Sequence, residues 1–317
     1  MTPERPSPPA RPRALLHVGL GKAGSASIQG FLALNAPALR AAGLHFDDLG
    51  GPRGPALGLT HGLPFLALAA ARPDWLPAPA LAARYGIHDR AGLRRTLDAF
   101  EARLDASLPA AGTWVASTEA LSGLLTRPGD VAALLAALRP RVSRVEVLLI
   151  LRDPVAWLPS HYNQLVRRGL RDSLDAFVEA RAACHLDRLA ALWADALGED
   201  RLHLRLLQPD GLLGGDLLAD LSALLGAPPG LPRPPRLNEG LSRRRIAALR
   251  LLNRTWGRLR PRGGQPGLLA LTRPLAGGPK LALTPDQAAR VRQANAASHE
   301  RLRRRFFPGR PQLFPGP

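Results

Sequence analysis

Near its start the chain places a strand, a glycine-rich turn, a helix and a second strand in close succession. Residues 14–19 read ALLHVG, a short apolar run ending in glycine that is typical of a buried strand. Residues 25–42 carry apolar side chains at helical spacing, Gly43 ends this helix, and residues 44–46 begin the next strand. This order predicts a βαβ unit and therefore a parallel pair of strands.

The alternation of strand and helix patterns continues along the chain. Residues 144–151, RVEVLLIL, are apolar on both faces and predict a strand inside the sheet. Further strands are predicted at 113–117 and 201–206, a loop at 49–64, and Pro/Gly connectors at 227–236 and 261–280. The predicted helices lie near 63–72, 90–107, 131–138, 154–169, 173–182, 185–197, 213–225, 241–257 and 284–306. The fold class is therefore α/β, with three αβα layers, a central, mainly parallel sheet and extra C-terminal helices.

Composition excludes several classes of protein. With 46% hydrophobic residues the chain buries a full core, which excludes wholesale disorder. Its single cysteine, Cys184, excludes a disulfide scaffold or a cysteine-based zinc cluster. No apolar run reaches the roughly 18–20 residues that span a bilayer, and we expect a cytoplasmic protein. The net charge is +18, yet only Lys22 and Lys280 among 43 basic residues are lysines, so most of this charge is interpreted as an arginine-rich background.

The loop at residues 19–27, GLGKAGSAS, joins the first strand to the first helix. Backbone amides and the helix dipole favour a phosphate at such a position. One interpretation uses Gly19, Gly21 and Gly24, which fit G-x-G-x-x-G, with the Asp47–Asp48 pair about 23 residues further on as ribose ligands. That pattern predicts a dinucleotide site.

A second interpretation of the same loop uses Lys22, Ser25 and Ser27. A lysine followed by hydroxyls on the first helical turn suits a 5′-phosphate that leaves with extra charge. The loop is not a Walker A motif, because Leu16 occupies the first glycine position and Ala23 the Ser/Thr position. Both interpretations of the loop stay open on these residues.

A second motif follows the strand at 144–151 and reads RDPVAWLPSHYNQ from residue 152 to 164. Arg152 comes at the carboxyl end of the strand, and Ser160 comes about two helical turns later. Such a pair converges on one phosphate at the edge of a sheet.

Together, the segment LLHVGLGKAGSASIQGFLALNAPALRAAG (residues 15–43) and this second motif resemble the bacterial PAPS-dependent sulfotransferases. The family's loop commonly reads PKTGTTS, and this chain departs from it at Gly21, Ala23, Ser25 and Ala26. Segments 214–226, 236–254 and 291–307 are similar to later helices of the family, so the resemblance covers residues 14–308. It implies a P-loop-like sulfotransferase architecture, with the 3′-phosphate of PAPS on Arg152 and Ser160. It also implies that the 5′-phosphosulfate is held by Lys22, Ala23, Gly24, Ser25, Ala26 and Ser27.

Sulfuryl transfer requires a base for the acceptor proton and a cation for the departing phosphate oxygen. Lys22 is the expected cation. Glu119 is the expected base, because Ser117–Leu121 reads STEAL where the family often has S-S-E-x-L; a helix-capping role is the structural alternative. His61, in THGLP, resembles a family position and is a candidate substrate contact. His17 is interpreted as a core histidine, and no histidine spacing predicts a metal site.

The sequence thus predicts a sulfotransferase that moves the sulfuryl group of PAPS to a hydroxyl or amine of a carbohydrate or small-metabolite acceptor. Neither a metal, a specific nucleic acid nor a transmembrane segment is expected. Two alternatives stay open: an NAD(P)-dependent oxidoreductase using the three glycines, and a non-catalytic protein that binds polyanions. The expected organisation is a disordered basic tail over 1–13, one domain over 14–308 and a C-terminal tail over 309–317.

Overall fold

The computed structural model describes residues 11–50, 56–235, 240–255, 266–275 and 277–314. The chain divides into two compact units. The first unit contains residues 1–151 and 189–235, and the second contains residues 152–188 and 236–317. The predicted domain and tail boundaries stay predictions, although Arg13 is already part of the first strand and Leu313 is buried.

A five-stranded parallel sheet organises the first unit, with the order β2-β3-β1-β4-β5. Its strands are β1 (Arg13–His17), β2 (Leu44–Phe46), β3 (Thr113–Ser117), β4 (Arg144–Leu151) and β5 (Leu202–Leu206). Helices cover both faces of the sheet. The predicted α/β class and parallel sheet are therefore confirmed, and all five strands lie within two residues of their predicted ends.

The first unit also contains several helices. They are α1 (Ser25–Leu34), α2 (Ala36–Ala41), α3 (Leu59–Ala71), α4 (Pro79–Arg84), α5 (Arg90–Ser107), α6 (Ala120–Leu124), α7 (Pro128–Leu138) and α11 (Leu217–Leu225). Helix α10 (Leu186–Leu197) contains the boundary between the two units. Apolar residues of α1, α2 and α11 form a core with Leu15, Val115, Leu148 and Ile150 of the strands.

The second unit is helical. It contains α8 (Pro154–Arg167), α9 (Leu174–Arg181), α12 (Arg243–Thr255), α13 (Pro266–Leu271) and α14 (Pro285–Phe306). Tyr162, Phe177, Ile246 and Val291 are core residues from four of these helices. Helix α13 was not predicted: it lies inside the segment 261–280 that was interpreted as a connector.

Two prolines account for departures from the predicted helices. The helix predicted over 25–42 is two helices separated at Asn35, because Pro37 lacks the N–H that would continue the ladder. Conversely, α3 begins at Leu59, inside the predicted loop at 49–64, and contains Pro64. Pro64 cannot donate to the Thr60 carbonyl one turn earlier, and the Thr118 hydroxyl donates to that oxygen instead, at 3.1 Å.

Candidate functional site

The loop between β1 and α1 has an unusual backbone. Lys22 has φ 68° and Gly24 has φ 92°, two left-handed conformations within three residues. A lysine in this region carries a strain of about 1–2 kcal/mol, which is characteristic of functional loops. Gly24 is required on a second ground, because a Cβ there would lie 2.3 Å from Leu217 Cδ2 of α11.

Helix α1 begins without a side-chain cap. Gly24 is its N-cap residue. Backbone amides at the start of a helix and the positive end of its dipole favour a bound anion. Of the predicted ligands in this turn, Ser25 is buried, whereas Ala26 and Ser27 are exposed.

Two buried polar atoms approach one point beneath this loop. A Cβ on Gly19 would lie 2.5 Å from His17 Nε2 and 3.3 Å from Ser25 Oγ. Both atoms are buried, and neither has a hydrogen-bond partner among the described residues. The other ring nitrogen of His17 is 2.8 Å from the Ser117 hydroxyl oxygen. Burial lowers the pKa of His17 to about 4, so the ring is neutral and has one donor and one acceptor nitrogen.

Glu119 lies beside the same loop. It directly precedes α6 and is half-buried, and a Cβ on Gly21 would lie 3.7 Å from its Oε2. The neighbouring Ser122 hydroxyl donates to the Gly19 carbonyl oxygen at 2.8 Å, which ties α6 to the loop. In the described part of the chain no hydrogen bond to the Glu119 carboxylate is formed, and it does not act as a side-chain cap.

His61 lies in the first turn of α3 rather than in a loop, which corrects the position predicted for it. Its Nδ1 is 2.8 Å from the Tyr85 hydroxyl oxygen. Burial, and then the charge of Arg84, lowers the pKa of His61, so the imidazole is neutral near pH 7. The bond from Thr118 to Thr60 joins the residue before Glu119 to the residue before His61. The structure thus links the segments that carry Glu119 and His61.

In the second unit, Arg152 and Ser160 line one cavity of about 540 Å³. Both side chains are half-buried, and burial lowers the pKa of Arg152 while the adjacent Asp153 opposes this. Lys280, from the segment before α14, lines the same cavity, as does the buried Asn163. Two cations, a hydroxyl and an amide from two chain segments therefore surround a volume that suits a phosphate with part of a nucleoside.

Lys280 is the residue that sequence reasoning missed. It lies 120 positions after Ser160, and no local pattern connects the two. The available signal was its identity, because it is one of only two lysines in an arginine-rich chain. The other lysine, Lys22, is in the first unit's loop, so both lysines belong to candidate phosphate-binding segments.

The acidic pair of the dinucleotide interpretation has local roles. Asp47 accepts a hydrogen bond from the Leu49 amide at 2.8 Å, and Asp48 accepts one from Gly50 at 3.1 Å. These are turn-forming bonds within their own loop. Within the described ranges, no group of three or more His, Cys, Asp or Glu side chains is arranged to hold a metal ion. None of the described helices combines the length and apolarity needed to cross a membrane.

The known proteins to which this chain is similar are solved structures. No protein-family model matches the chain, and no curated protein matches it. A sulfotransferase from Alicyclobacillus acidocaldarius is similar over 93% of this chain and 95% of its own, with 16% identity and a TM-score of 0.46. The sulfotransferase domain of the Synechococcus PCC 7002 olefin synthase is similar over 92% and 97%, with 15% identity and a TM-score of 0.36. The sulfotransferase domain from the curacin biosynthetic pathway is similar over 92% and 99%, with 14% identity and a TM-score of 0.35. All three are sulfotransferases, the family that the sequence motifs resemble.

Proposed function

We propose that this chain is a sulfotransferase that uses PAPS as the sulfuryl donor. The observation that carries the proposal is the cavity in which Arg152, Ser160 and Lys280 meet. A 3′-phosphate is a dianion, and a guanidinium, a hydroxyl and an ammonium together supply the charge and donors that it needs. PAPS has a second anionic group at its 5′ position, for which the α1 loop offers a helix N-terminus without a side-chain cap and the buried Ser25 hydroxyl.

At the loop, each polar residue has a distinct proposed role. The acceptor oxygen or nitrogen attacks sulfur in line, the bond from sulfur to the bridging phosphate oxygen breaks, and 3′-phosphoadenosine 5′-phosphate (PAP) leaves. Lys22 stabilises the charge that develops on this departing oxygen. Glu119 takes the proton that the acceptor loses, a role supported by the position of its carboxylate beside Gly21. His61 is proposed as a neutral contact for the acceptor.

The order of the strands favours PAPS over a nicotinamide dinucleotide. In the dinucleotide fold, the strand that carries the ribose-binding acid is adjacent to the strand before the glycine loop. Here β3 lies between β1 and β2, so the Asp47–Asp48 pair follows a strand one position further away. Both carboxylates are also engaged in their own turn.

A binding experiment that separates the two phosphate positions tests the proposal. Calorimetry with PAP should give a micromolar or tighter dissociation constant, and 5′-AMP, which lacks the 3′-phosphate, should bind at least tenfold more weakly. Arg152→Gln should weaken PAP binding about 30-fold, equivalent to a charged hydrogen bond of about 2 kcal/mol, and should leave AMP binding unchanged. Lys22→Gln should weaken the binding of both PAP and AMP. Arg40→Gln, which removes an exposed arginine at the end of α2, is the matched control.

Transfer of labelled sulfate from PAPS to a panel of glycans and metabolites tests the reaction itself. Glu119→Gln should reduce transfer by at least a hundredfold with little change in PAP affinity. Absence of PAP binding, together with stabilisation by NADP⁺, would replace this proposal with the oxidoreductase. If the protein binds PAP but transfers sulfate to no acceptor, and Glu119→Gln changes neither result, the non-catalytic polyanion-binding alternative would be supported.

A further inference from the structure

The segment from Gly240 to Pro285 has an unusual distribution of charge. Its 46 residues contain ten Arg and Lys and no Asp or Glu. Acidic residues are not rare in this chain, which has 25 of them against 43 basic residues. More than half of the net charge of +18 therefore comes from one seventh of the sequence.

The same segment exposes large apolar side chains. Leu251, Leu271 and Leu275 are 60%, 62% and 42% exposed, and they are three of the six large hydrophobic residues that the structure describes as exposed. Isolated exposed leucines are ordinary, but this group lies on adjoining elements that are otherwise basic.

Hydrogen bonds hold these elements together. Arg245 of α12 donates to the Thr272 hydroxyl at 3.1 Å and to the Leu269 carbonyl at 3.0 Å. The Ser242 hydroxyl donates to the Leu275 carbonyl oxygen at 2.6 Å. Helix α12, helix α13 and the 3₁₀ turn Arg273–Leu275 therefore form one ordered substructure.

Helix α12 has a buried side and an opposite, exposed side. Ile246, Leu249 and Asn253 are buried, and Asn253 donates to the Val166 carbonyl oxygen of α8 at 2.7 Å. At about 100° per residue, Arg244 and Leu251 lie within about 20° of each other on the opposite side, with Arg254 beside them. We call six exposed arginine and leucine residues of this substructure the basic leucine patch: Arg244, Leu251, Arg254, Leu271, Arg273 and Leu275. No carboxylate among the described residues forms a salt bridge with its three arginines.

The combination of arginine and leucine side chains in the patch indicates the kind of partner that it binds. A nucleic acid or a soluble acidic glycan would neutralise the arginines but leave the leucines in water. An anionic lipid surface satisfies both, because its phosphates attract arginine and the boundary of its acyl chains accepts leucine. We propose that the basic leucine patch docks this protein peripherally on an anionic lipid surface.

Vesicle co-sedimentation of the full chain tests this docking. Vesicles of phosphatidylcholine with phosphatidylglycerol should bind the protein at least tenfold more strongly than vesicles of phosphatidylcholine alone. Each arginine of the patch should contribute roughly fivefold, so Arg244→Gln with Arg254→Gln should reduce binding more than tenfold. Leu251→Gln with Leu271→Gln should also reduce vesicle binding at least tenfold, while retention on immobilised heparin stays unchanged.

Matched leucines elsewhere provide the control. Leu34 and Leu213 are 50% and 57% exposed, and Leu34→Gln with Leu213→Gln should leave vesicle binding unchanged. Thermal melts establish that every variant folds. PAP titrations of the patch variants should match the wild type, which separates docking from the proposed function.

Three results would overturn the docking proposal. The first is no binding of the wild type to anionic vesicles, and the second is equal binding to neutral ones. The third is vesicle binding that depends on the arginines but not on the leucines, which would identify the patch as a contact for a soluble polyanion.

Discussion

Replacing Gly19 with alanine tests how the loop rests on the strand beneath it. The new Cβ would lie 2.5 Å from His17 Nε2 and 2.8 Å from Cε1, well inside van der Waals contact. The His17 ring is 1% exposed and is held by its 2.8 Å hydrogen bond to Ser117, so it has no open space to enter. Overpacking of this kind costs about 1–3 kcal/mol, and loss of the hydrogen bond adds about 1 kcal/mol. We therefore expect Gly19→Ala to lower the free energy of unfolding by about 2–4 kcal/mol.

A double-mutant cycle identifies His17 as the cause. Urea unfolding followed by tryptophan fluorescence gives the free energy of unfolding of each variant. His17→Ala is itself destabilising, but in that background the Gly19→Ala substitution should cost less than about 0.5 kcal/mol, because the ring is gone. Gly123→Ala, where a Cβ meets nothing within 4 Å, is the matched control and should be neutral or stabilising. Equal costs of Gly19→Ala in both backgrounds would refute the steric explanation.

Three further predictions concern residues outside the loop. Burial raises the pKa of Asp130, but hydrogen bonds from Arg72 and two backbone amides lower it further than burial raises it. Asp130→Asn should therefore cost about 3 kcal/mol at pH 7 in urea unfolding, and the difference from wild type should disappear as the pH falls below about 4. Burial raises the pKa of the Cys184 thiol to about 12, so its reaction with a disulfide reagent at pH 8 should be about a thousandfold slower than that of free cysteine, and denaturant should abolish the difference. Gly112→Ala should lower the free energy of unfolding by at least about 2 kcal/mol, because its Cβ would lie 2.4 Å from the Gly43 carbonyl oxygen at a φ of 87°. A cost below 0.5 kcal/mol would contradict that geometry.

Hydrophobic patterning identified the strands because β1, β3 and β4 are largely buried on both faces and β5 alternates buried with half-buried side chains. One missed helix boundary concerns a backbone partner that is remote in sequence. Helix α3 tolerates Pro64 because Thr118, 54 residues later, donates to the carbonyl that the proline leaves free. A pattern within a short window contains the proline but not its compensation, so it predicts a loop.

The residues of the candidate site also fall into those that a local sequence pattern predicts and those that it does not. Lys22 was predicted from the glycine-rich loop after the first strand and Glu119 from the STEAL segment at residues 117–121. Arg152 and Ser160 were predicted because they lie on one turn-and-helix segment. Lys280 joins the latter pair only through the packing of the second unit. Local spacing therefore finds the residues that one segment presents, and misses those that a distant segment contributes.

The glycines show why a motif match requires a physical explanation. Gly19, Gly21 and Gly24 satisfy a dinucleotide fingerprint, yet the structure gives two of them other reasons to lack a side chain. Gly19 accommodates the His17 ring, and Gly24 adopts a left-handed backbone against Leu217. Because steric packing explains both glycines without any ligand, the fingerprint has little power to separate a dinucleotide from a phosphosulfate. The distinction depends instead on Lys22, on the order of the strands and on the second cation-lined cavity, which a nicotinamide dinucleotide does not require.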